Sequence, residues 1–405
     1  MHDVRIYNIG SIITWSIADN SILVDTNQEI YIKDGKIIDI SESVQSASNE
    51  INAQEGLVTP GFIDSHTHPI FFGDRSKEMS WKLKGKSYQE IASMGGGILS
   101  SVNALRNCTE DELYEYCLSH TKNFLSYGTT TIEAKSGYGL TIDDEIKSLR
   151  VIKKLGDDLD LDIIPTFLGA HDIPEEYKGS TDSYVDSICN EMIPAIAEEK
   201  LAVFCDVFCE DGFFDVVQSR KILETAKKFD LSPRLHADEF VDSGAAELAA
   251  EIGACSADHL MATGQRGIDL LAKSNVISTL LPGTTMFLGS DNYVDARKFI
   301  RAGCEVALAT DFNPGTCTIQ SMNQIMFLGA LKCGLTVDEC FKATTLNPAK
   351  SLLINKNVGV IDIGFDADMV IWNLDNINEL IYWFSQRNLI SHVIKAGKVV
   401  FIGQE

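Results

Sequence analysis

Positive charge is scarce in this chain. Against 58 aspartates and glutamates stand 34 lysines and arginines, giving 405 residues a formal net charge of −24. That balance argues against nucleic acid and anionic membrane surfaces as partners, and an anionic ligand would need locally placed cations. The ten cysteines form no Cys-x-x-Cys pair. Their scatter fits a reducing cytoplasm better than a disulfide framework, and Cys205 and Cys209, in an apolar run, read as core. The N-terminus has no basic segment leading into a long apolar one, so no signal peptide is expected, and no apolar run is long enough to span a membrane. No Gly-x-Gly-x-x-Gly follows the first strand-like run, which disfavours a dinucleotide-binding sheet. Histidine is also sparse, at eight residues, so its placement carries information.

What is present is a long alternation. From about Leu57 to Leu353, strand-like runs at Val58–Asp64, Thr129–Ala134, Asp162–Leu168, Ala202–Phe208, Pro233–His236, Ser256–His259, Val276–Leu281 and Glu305–Ala309 are separated by amphipathic helical stretches. Eight such repeats predict an α/β fold, a (β/α)8 TIM-like barrel. Periodicity alone leaves an open doubly wound sheet as the other architecture. Both ends read as β-rich, with a hairpin signature at Asp34-Gly35 and a turn at Ala396-Gly397. Residues 1–56 plus 354–405 are therefore expected to form one small β-sandwich domain around a barrel of residues 57–353.

Polar residues recur where the strands end. His66 and His68 leave the first run one residue apart, so on an extended chain both imidazoles fall on one side and can converge on a metal. A bare His-x-His is more often a surface coincidence. Here it follows Pro-Gly and an apolar strand, and His171, His236 and His259 also lie at later strand ends. Five of the eight histidines thus fall on one predicted rim, the face on which barrel active sites are built.

The run Pro60-Gly61-Phe62-Ile63-Asp64-Ser65-His66-Thr67-His68, with His236, His259 and Asp311, resembles the metal-dependent amidohydrolase superfamily. So does the tail, Thr345-Leu346-Asn347-Pro348-Ala349 followed by Gly359-Val360-Ile361-Asp362-Ile363-Gly364. The resemblance covers essentially the whole chain. It implies that His66, His68, His236 and Asp311 hold one divalent metal, Zn2+ or Fe2+, a ligand set both ions tolerate. It further implies hydrolysis of a carbon–nitrogen bond in a cyclic amide, with Asp311 handling the water proton. Glu239 is a second candidate base or water-positioning group, and His259 a group that polarises the carbonyl, or else a packed core histidine.

The segments around Arg75, Tyr138 and His171 narrow the resemblance to members acting on a small substrate that bears a carboxylate. Arg75 would clamp that carboxylate. Tyr138, His171, Glu239, Asn313, Gly315 and Thr316 would complete the contacts, with Tyr88 a weaker candidate. Lys135 is expected as an unmodified lysine beside a single metal, not as a carboxylated bridge between two. Gly95-Gly96-Gly97 either lines the site or only breaks a helix. The resemblance also implies a homodimer. The alternatives are another cyclic amide or amidine amidohydrolase, such as a nucleobase deaminase, which would give Arg75 nothing to bind, and a non-catalytic scaffold on the same fold, which would be expected to lack ligands.

Overall fold

A computed structural model describes residues 2–86, 90, 94–386 and 388–403. Eight parallel strands follow one another around a barrel-like sheet: Phe62–Asp64, Thr129–Lys135, Asp162–Ala170, Phe204–Cys209, Ser232–Ala237, Ser256–His259, Ile277–Leu280 and Val306–Leu308. Each pairs with the next in sequence. First and last strands meet just beyond their ends. Asp311 N donates to His66 O at 3.0 Å, His68 N donates to Phe312 O at 2.8 Å, and Thr310 Oγ1 donates to Asp64 Oδ2 at 2.6 Å. The barrel therefore closes through the residues that carry the expected ligands.

The run expected as one strand, Val58–Asp64, is two. Leu57–Pro60 belongs to a six-stranded sheet, pairing with Met369–Trp372 and with Ser11–Ile12, and only Phe62–Asp64 enters the barrel. Gly61 makes the crossing: a Cβ there would sit 2.2 Å from Thr130 Oγ1, so a side chain would separate the first two barrel strands. The six-stranded sheet joins segments from both chain ends, and a four-stranded sheet is built from residues 2–52. Ile6, Ile30, Ile32 and Ile37 of the smaller sheet share a buried apolar cluster with Ile12, Val58, Met369, Ile371 and Ile394 of the larger one.

Helices separate the barrel strands, several entered through side-chain caps that satisfy their first free N–H groups. Thr109 with Glu112, Asp215 with Gln218 and Thr336 with Glu339 each form reciprocal capping boxes. The longest connection, between the first and second barrel strands, holds Ser76–Leu83, Ile98–Asn107 and Glu110–Thr121. It carries Arg75 over the rim. Tyr88 lies outside the described residues.

Candidate active site

At the C-terminal ends of the strands, five imidazoles gather. Ring centroids of His66 and His236 are 4.5 Å apart, those of His68 and His171 5.0 Å, and those of His236 and His259 5.3 Å. Three of these nitrogens and one carboxylate oxygen point at one another. His68 Nε2 lies 3.3 Å from both His66 Nε2 and His236 Nε2, and Asp311 Oδ1 lies 3.6 Å from His66 Nε2 and 3.4 Å from His68 Nε2.

Protons explain why this cluster needs a cation. His66 Nδ1 is 2.8 Å from Asp258 Oδ2 and His236 Nδ1 is 3.0 Å from Asp206 Oδ2. A carboxylate only accepts, so His66 Nδ1 carries the proton and its Nε2 presents a lone pair to the centre, whereas His236 Nδ1 approaches Asp206 without forming a hydrogen bond. Burial holds His66 and His68 well below the ordinary histidine pKa, and neighbouring cationic groups push the same way. Converging neutral imidazoles would face lone pair against lone pair without an ion between them. Ligand atoms ~2.0–2.1 Å from a tetrahedral metal are spaced roughly 3.3–3.4 Å apart. His68 Nε2 meets that spacing to both His66 and His236, Asp311 Oδ1 lies slightly wider, and His66, His68 and Asp311 each offer an atom within 4.8 Å of the others. The residues fit a divalent metal.

Behind the ligands runs a layer of wholly buried charge. Lys135 Nζ donates to Glu133 Oε1 at 2.6 Å and to Asp206 Oδ2 at 2.8 Å. Arg234 lies 3.5 Å from Asp258 Oδ2 and 3.9 Å from Glu133 Oε1. Burial alone would lower the Lys135 ammonium, but Asp206 and Glu133 outweigh it and hold it above the ordinary lysine range. Likewise burial opposes the charge on Asp206, yet His236 and Lys135 keep its carboxyl well below the usual value. Asp258 fixes the orientation of the His66 ring and Asp206 holds the His236 backbone N–H at 3.1 Å, the supporting role expected around metal ligands.

Asp311 differs in having its two oxygens divided. Oδ2 accepts from Thr284 Oγ1 at 2.5 Å while Oδ1 faces the histidines. Burial pushes its carboxyl up to about 6, despite the Thr284 bond. Glu239 is raised well above the ordinary carboxyl value too, by burial first and then by the charges of Asp311 and Glu210, and its Oε2 lies 3.8 Å from His259 Nε2. Asp238, His259 and Asp311 all have left-handed φ angles, 50°, 80° and 54°. Such angles are strained for residues with a Cβ and recur where a chain must turn sharply to aim a side chain.

A cavity of about 420 Å3 opens above the cluster. Of the expected residues, His68, Arg75, Tyr138, His171, His236, Glu239, His259, Asp311, Asn313 and Thr316 line it. His66 sits beneath, fully buried. Gly315 backs onto Arg75, where a Cβ would come within 2.1 Å of Nη1. Arg75 is oriented by a bidentate pair with Glu78, Nε to Oε1 and Nη2 to Oε2, both 2.8 Å. Gly97 N–H also donates to Glu78 Oε1 at 2.9 Å, which ties the glycine run to the Arg75 mount. The Asn313 side chain holds its own loop, accepting from Gly315 N and Thr316 N at 2.8 and 2.7 Å. His171 Nδ1 lies 2.9 Å from Gly137 O, so that nitrogen carries the proton and Nε2 is left as an acceptor.

Sequence reading missed the groups that aim these side chains. Glu145 accepts from the N–H groups of Gly137, Gly139 and Leu140 at 3.1, 2.9 and 2.8 Å and so shapes the loop of Tyr138. Thr284, Asp206 and Asp258 act on residues far away in sequence, and no local spacing marks them. Glu133 holds Lys135 two residues on, a pair whose burial the spacing does not reveal. Phe208, Phe213, Phe240, Ile98 and Leu288, the apolar wall of the cavity, carry no motif.

Fold and site together define a metal-dependent amidohydrolase. The profile described as the Amidohydrolase family matches residues 214–400. Among solved structures, 5-methylcytosine deaminase from Klebsiella pneumoniae superposes with a TM-score of 0.76 at 17% identity, covering 99% of this chain and 98% of that one. A zinc-bound adenosine deaminase from Xanthomonas campestris gives 0.72 at 17%, covering 99% and 93%. At that identity the likeness is one of fold. Sequence relatives are more specific. A protein named imidazolonepropionase from Thermoanaerobacter pseudethanolicus is 44% identical over 99% of both chains, and one from Fusobacterium nucleatum is 41% identical over 98% of this chain and 99% of that one. The chain belongs to the imidazolonepropionase family.

Proposed function

We propose that the chain hydrolyses the ring amide of 4-imidazolone-5-propanoate to N-formimino-L-glutamate, a step of histidine degradation. The observation that carries this reading is that one cavity is lined both by the histidine and aspartate cluster and by Arg75. Ring-opening chemistry and a carboxylate clamp are thus within one small substrate's reach. We infer one Zn2+ or Fe2+ per chain, held by His66, His68, His236 and Asp311. When bound, that ion supplies a water acidic enough to ionise near neutral pH and a Lewis acid for the carbonyl.

The protein's own groups then divide the work. Arg75, set by Glu78, takes the propionate. His171, its Nδ1 proton given to Gly137 O, offers Nε2 to a ring N–H. Asp311, with Oδ2 held by Thr284, receives the water proton on Oδ1 and returns it to the leaving ring nitrogen. Glu239, its carboxyl pushed up by burial, is the second base or positions the water, and His259 polarises the carbonyl beside it. Tyr138, Asn313, Gly315 and Thr316 shape the remaining wall. Residues 57–353 hold the catalytic unit in this reading, with Leu57–Pro60 lent to the sheet of the β domain that 1–56 and 354–405 otherwise form, in a cytoplasmic homodimer. Among the described residues, no helix is long and apolar enough to cross a membrane.

The test is the fall in substrate absorbance on mixing with purified protein, with and without chelator, beside a panel of nucleobases. Chelator-sensitive consumption of imidazolonepropionate with inert nucleobases supports the assignment. Turnover of a nucleobase in its place would move the chain to the deaminase reading. A folded protein that is inert with added zinc or iron would indicate a scaffold.

A further inference from the structure

We propose that Glu210 and Asp238, neither of which lines the catalytic cavity, are positioning residues that clamp the chain on either side of Glu239. The inference rests on the reading of Glu239 as a group that acts on the bound substrate. Both carboxylates are almost wholly buried, at 2% and 1% exposure, so each must have a structural use for its charge.

On the downstream side, Phe240 N–H donates to Glu210 Oε2 at 2.8 Å and Asp211 N–H to Oε1 at 3.0 Å. Glu210 is itself held at both backbone groups, its N–H donating to Phe214 O and its carbonyl accepting from Phe213 N, both at 3.1 Å. The residue after Glu239 is therefore fixed to the end of the fourth barrel strand. On the upstream side, Asp238 Oδ1 accepts from Ser243 N, Ser243 Oγ and Ala245 N at 3.1, 3.0 and 3.1 Å. Its Oδ2 accepts from Ala246 N at 3.3 Å and Thr263 Oγ1 at 3.0 Å. Ala262 N–H adds a bond of 2.8 Å to the Asp238 carbonyl.

The consequence is geometric. Asp238 binds the loop of Glu239 to the start of the next helix and to the loop that follows His259. Its left-handed φ of 50° turns the chain so that the carboxylates of residues 238 and 239 part, one into the scaffold and the other into the cavity. Glu239 is then a side chain whose peptide is held on two sides by two different strand ends. Relaxing either hold would let its carboxyl drift from the reacting atoms without altering the metal ligands or Arg75.

The experiment is a set of double-mutant cycles on full-length, metal-loaded protein. Glu239→Ala is measured first, then Asp238→Ala and Glu210→Ala, each alone and combined with Glu239→Ala. Each single clamp variant should lower kcat by about 10- to 100-fold, since an ångström of misplacement costs that much, with KM within about threefold because the carboxylate clamp is intact. In the Glu239→Ala background both should be silent, and Glu210→Gln, whose amide oxygen still accepts from Phe240 N–H, should recover most of the activity. Equal losses with and without Glu239, loss of bound metal, or unchanged kcat in Glu210→Ala would overturn the clamp while leaving Glu239 in place. If Asp238→Ala does not fold, Glu210→Ala and Glu210→Gln decide the matter. Full activity in Glu239→Ala would remove the reading of Glu239 and the clamp with it, and that result is separately visible because it is measured first.

Discussion

Gly315 offers a way to test the carboxylate clamp without touching the clamp itself. An alanine Cβ at this position would lie 2.1 Å from Arg75 Nη1, 2.6 Å from Cζ and 3.1 Å from Nη2. Non-bonded heavy atoms settle at about 3.5 Å, so something must yield by roughly 1.4 Å. Gly315 does not use a left-handed φ, so alanine suits its backbone, and its N–H bond to Asn313 Oδ1 at 2.8 Å holds the loop. The guanidinium is the softer partner and is displaced. A shift of that size exceeds what a hydrogen bond of ordinary length tolerates, so Arg75 loses its grip on the substrate carboxylate. Hydrogen bonds to charged groups contribute about 1.5–3 kcal/mol, and each 1.4 kcal/mol is tenfold. Gly315→Ala should therefore raise KM for imidazolonepropionate by roughly 10- to 150-fold, with little change in kcat at saturation and in the melting temperature.

The control is Arg75→Ala. With no guanidinium present the new methyl group meets nothing, so Gly315→Ala should add no further increase in KM in that background. Initial rates over a range of substrate concentrations, read by absorbance, give all four corners of the cycle. Two results would refute the reasoning. An unchanged KM in Gly315→Ala would mean that the guanidinium does not meet the substrate. Additive effects of the two substitutions would mean that the methyl group acts through the loop and not through Arg75.

Other expectations follow from the same geometry. Asp258→Asn should weaken metal binding about 10- to 100-fold because it loosens the Nδ1 restraint on His66, as measured by competition with a chromogenic chelator. Metal removal should abolish activity and lower the melting temperature, both returning when zinc or iron is added back. Intact mass should show Lys135 unmodified, because its ammonium already serves two carboxylates at 2.6 and 2.8 Å; a gain of carbon dioxide at this residue would contradict that. His120, stacked on Phe71 at 4.6 Å, is held below the ordinary histidine pKa by burial, which outweighs its bond to Pro69 O. Below pH ~6.5 the unfolded chain therefore takes up a proton that the folded chain refuses, and His120 costs stability as pH falls. His120→Gln should be less stable than the parent at pH 8 through lost stacking, and the gap should narrow at pH 5; a constant gap in thermal unfolding would show that His120 is not the group responsible.

The parts legible in the sequence were those with a short period or a local chemical oddity. The alternation of strand and helix gave the barrel, and the one-residue spacing of His66 and His68 put two imidazoles on one face. The strand-end positions of His171, His236, His259 and Asp311 brought the rest to the same rim. Hydrophobicity could not divide Val58–Asp64, because both halves are apolar and fully buried. What divides them is the close approach of Thr130 to Gly61, a contact 69 residues away in sequence. Asp206, Asp258 and Glu133 were invisible for a related reason. Each sits inside a strand that otherwise reads as core. Asp206 and Asp258 face histidines 30 and 192 residues away in sequence, and the two-residue spacing of Glu133 and Lys135 does not show that both are buried.

The buried charges also explain why a lysine stands so near a metal site. Asp206 stands 3.0 Å from His236 Nδ1 and accepts from the His236 N–H, and a carboxylate with no access to water would otherwise take up a proton itself. Lys135 prevents this at 2.8 Å from Asp206. On the other side, Arg234 lies 3.5 Å from Asp258, the partner of His66. Glu133 lies between the two cations, 2.6 Å from Lys135 and 3.9 Å from Arg234, so the charges alternate from His66 through the barrel interior to His236. Neutralising one member would leave its neighbour charged, buried and unpaired, which is far costlier than never having built the pair. One shared layer thus stands behind both histidines, with the Lys135 ammonium between the carboxylates of Glu133 and Asp206.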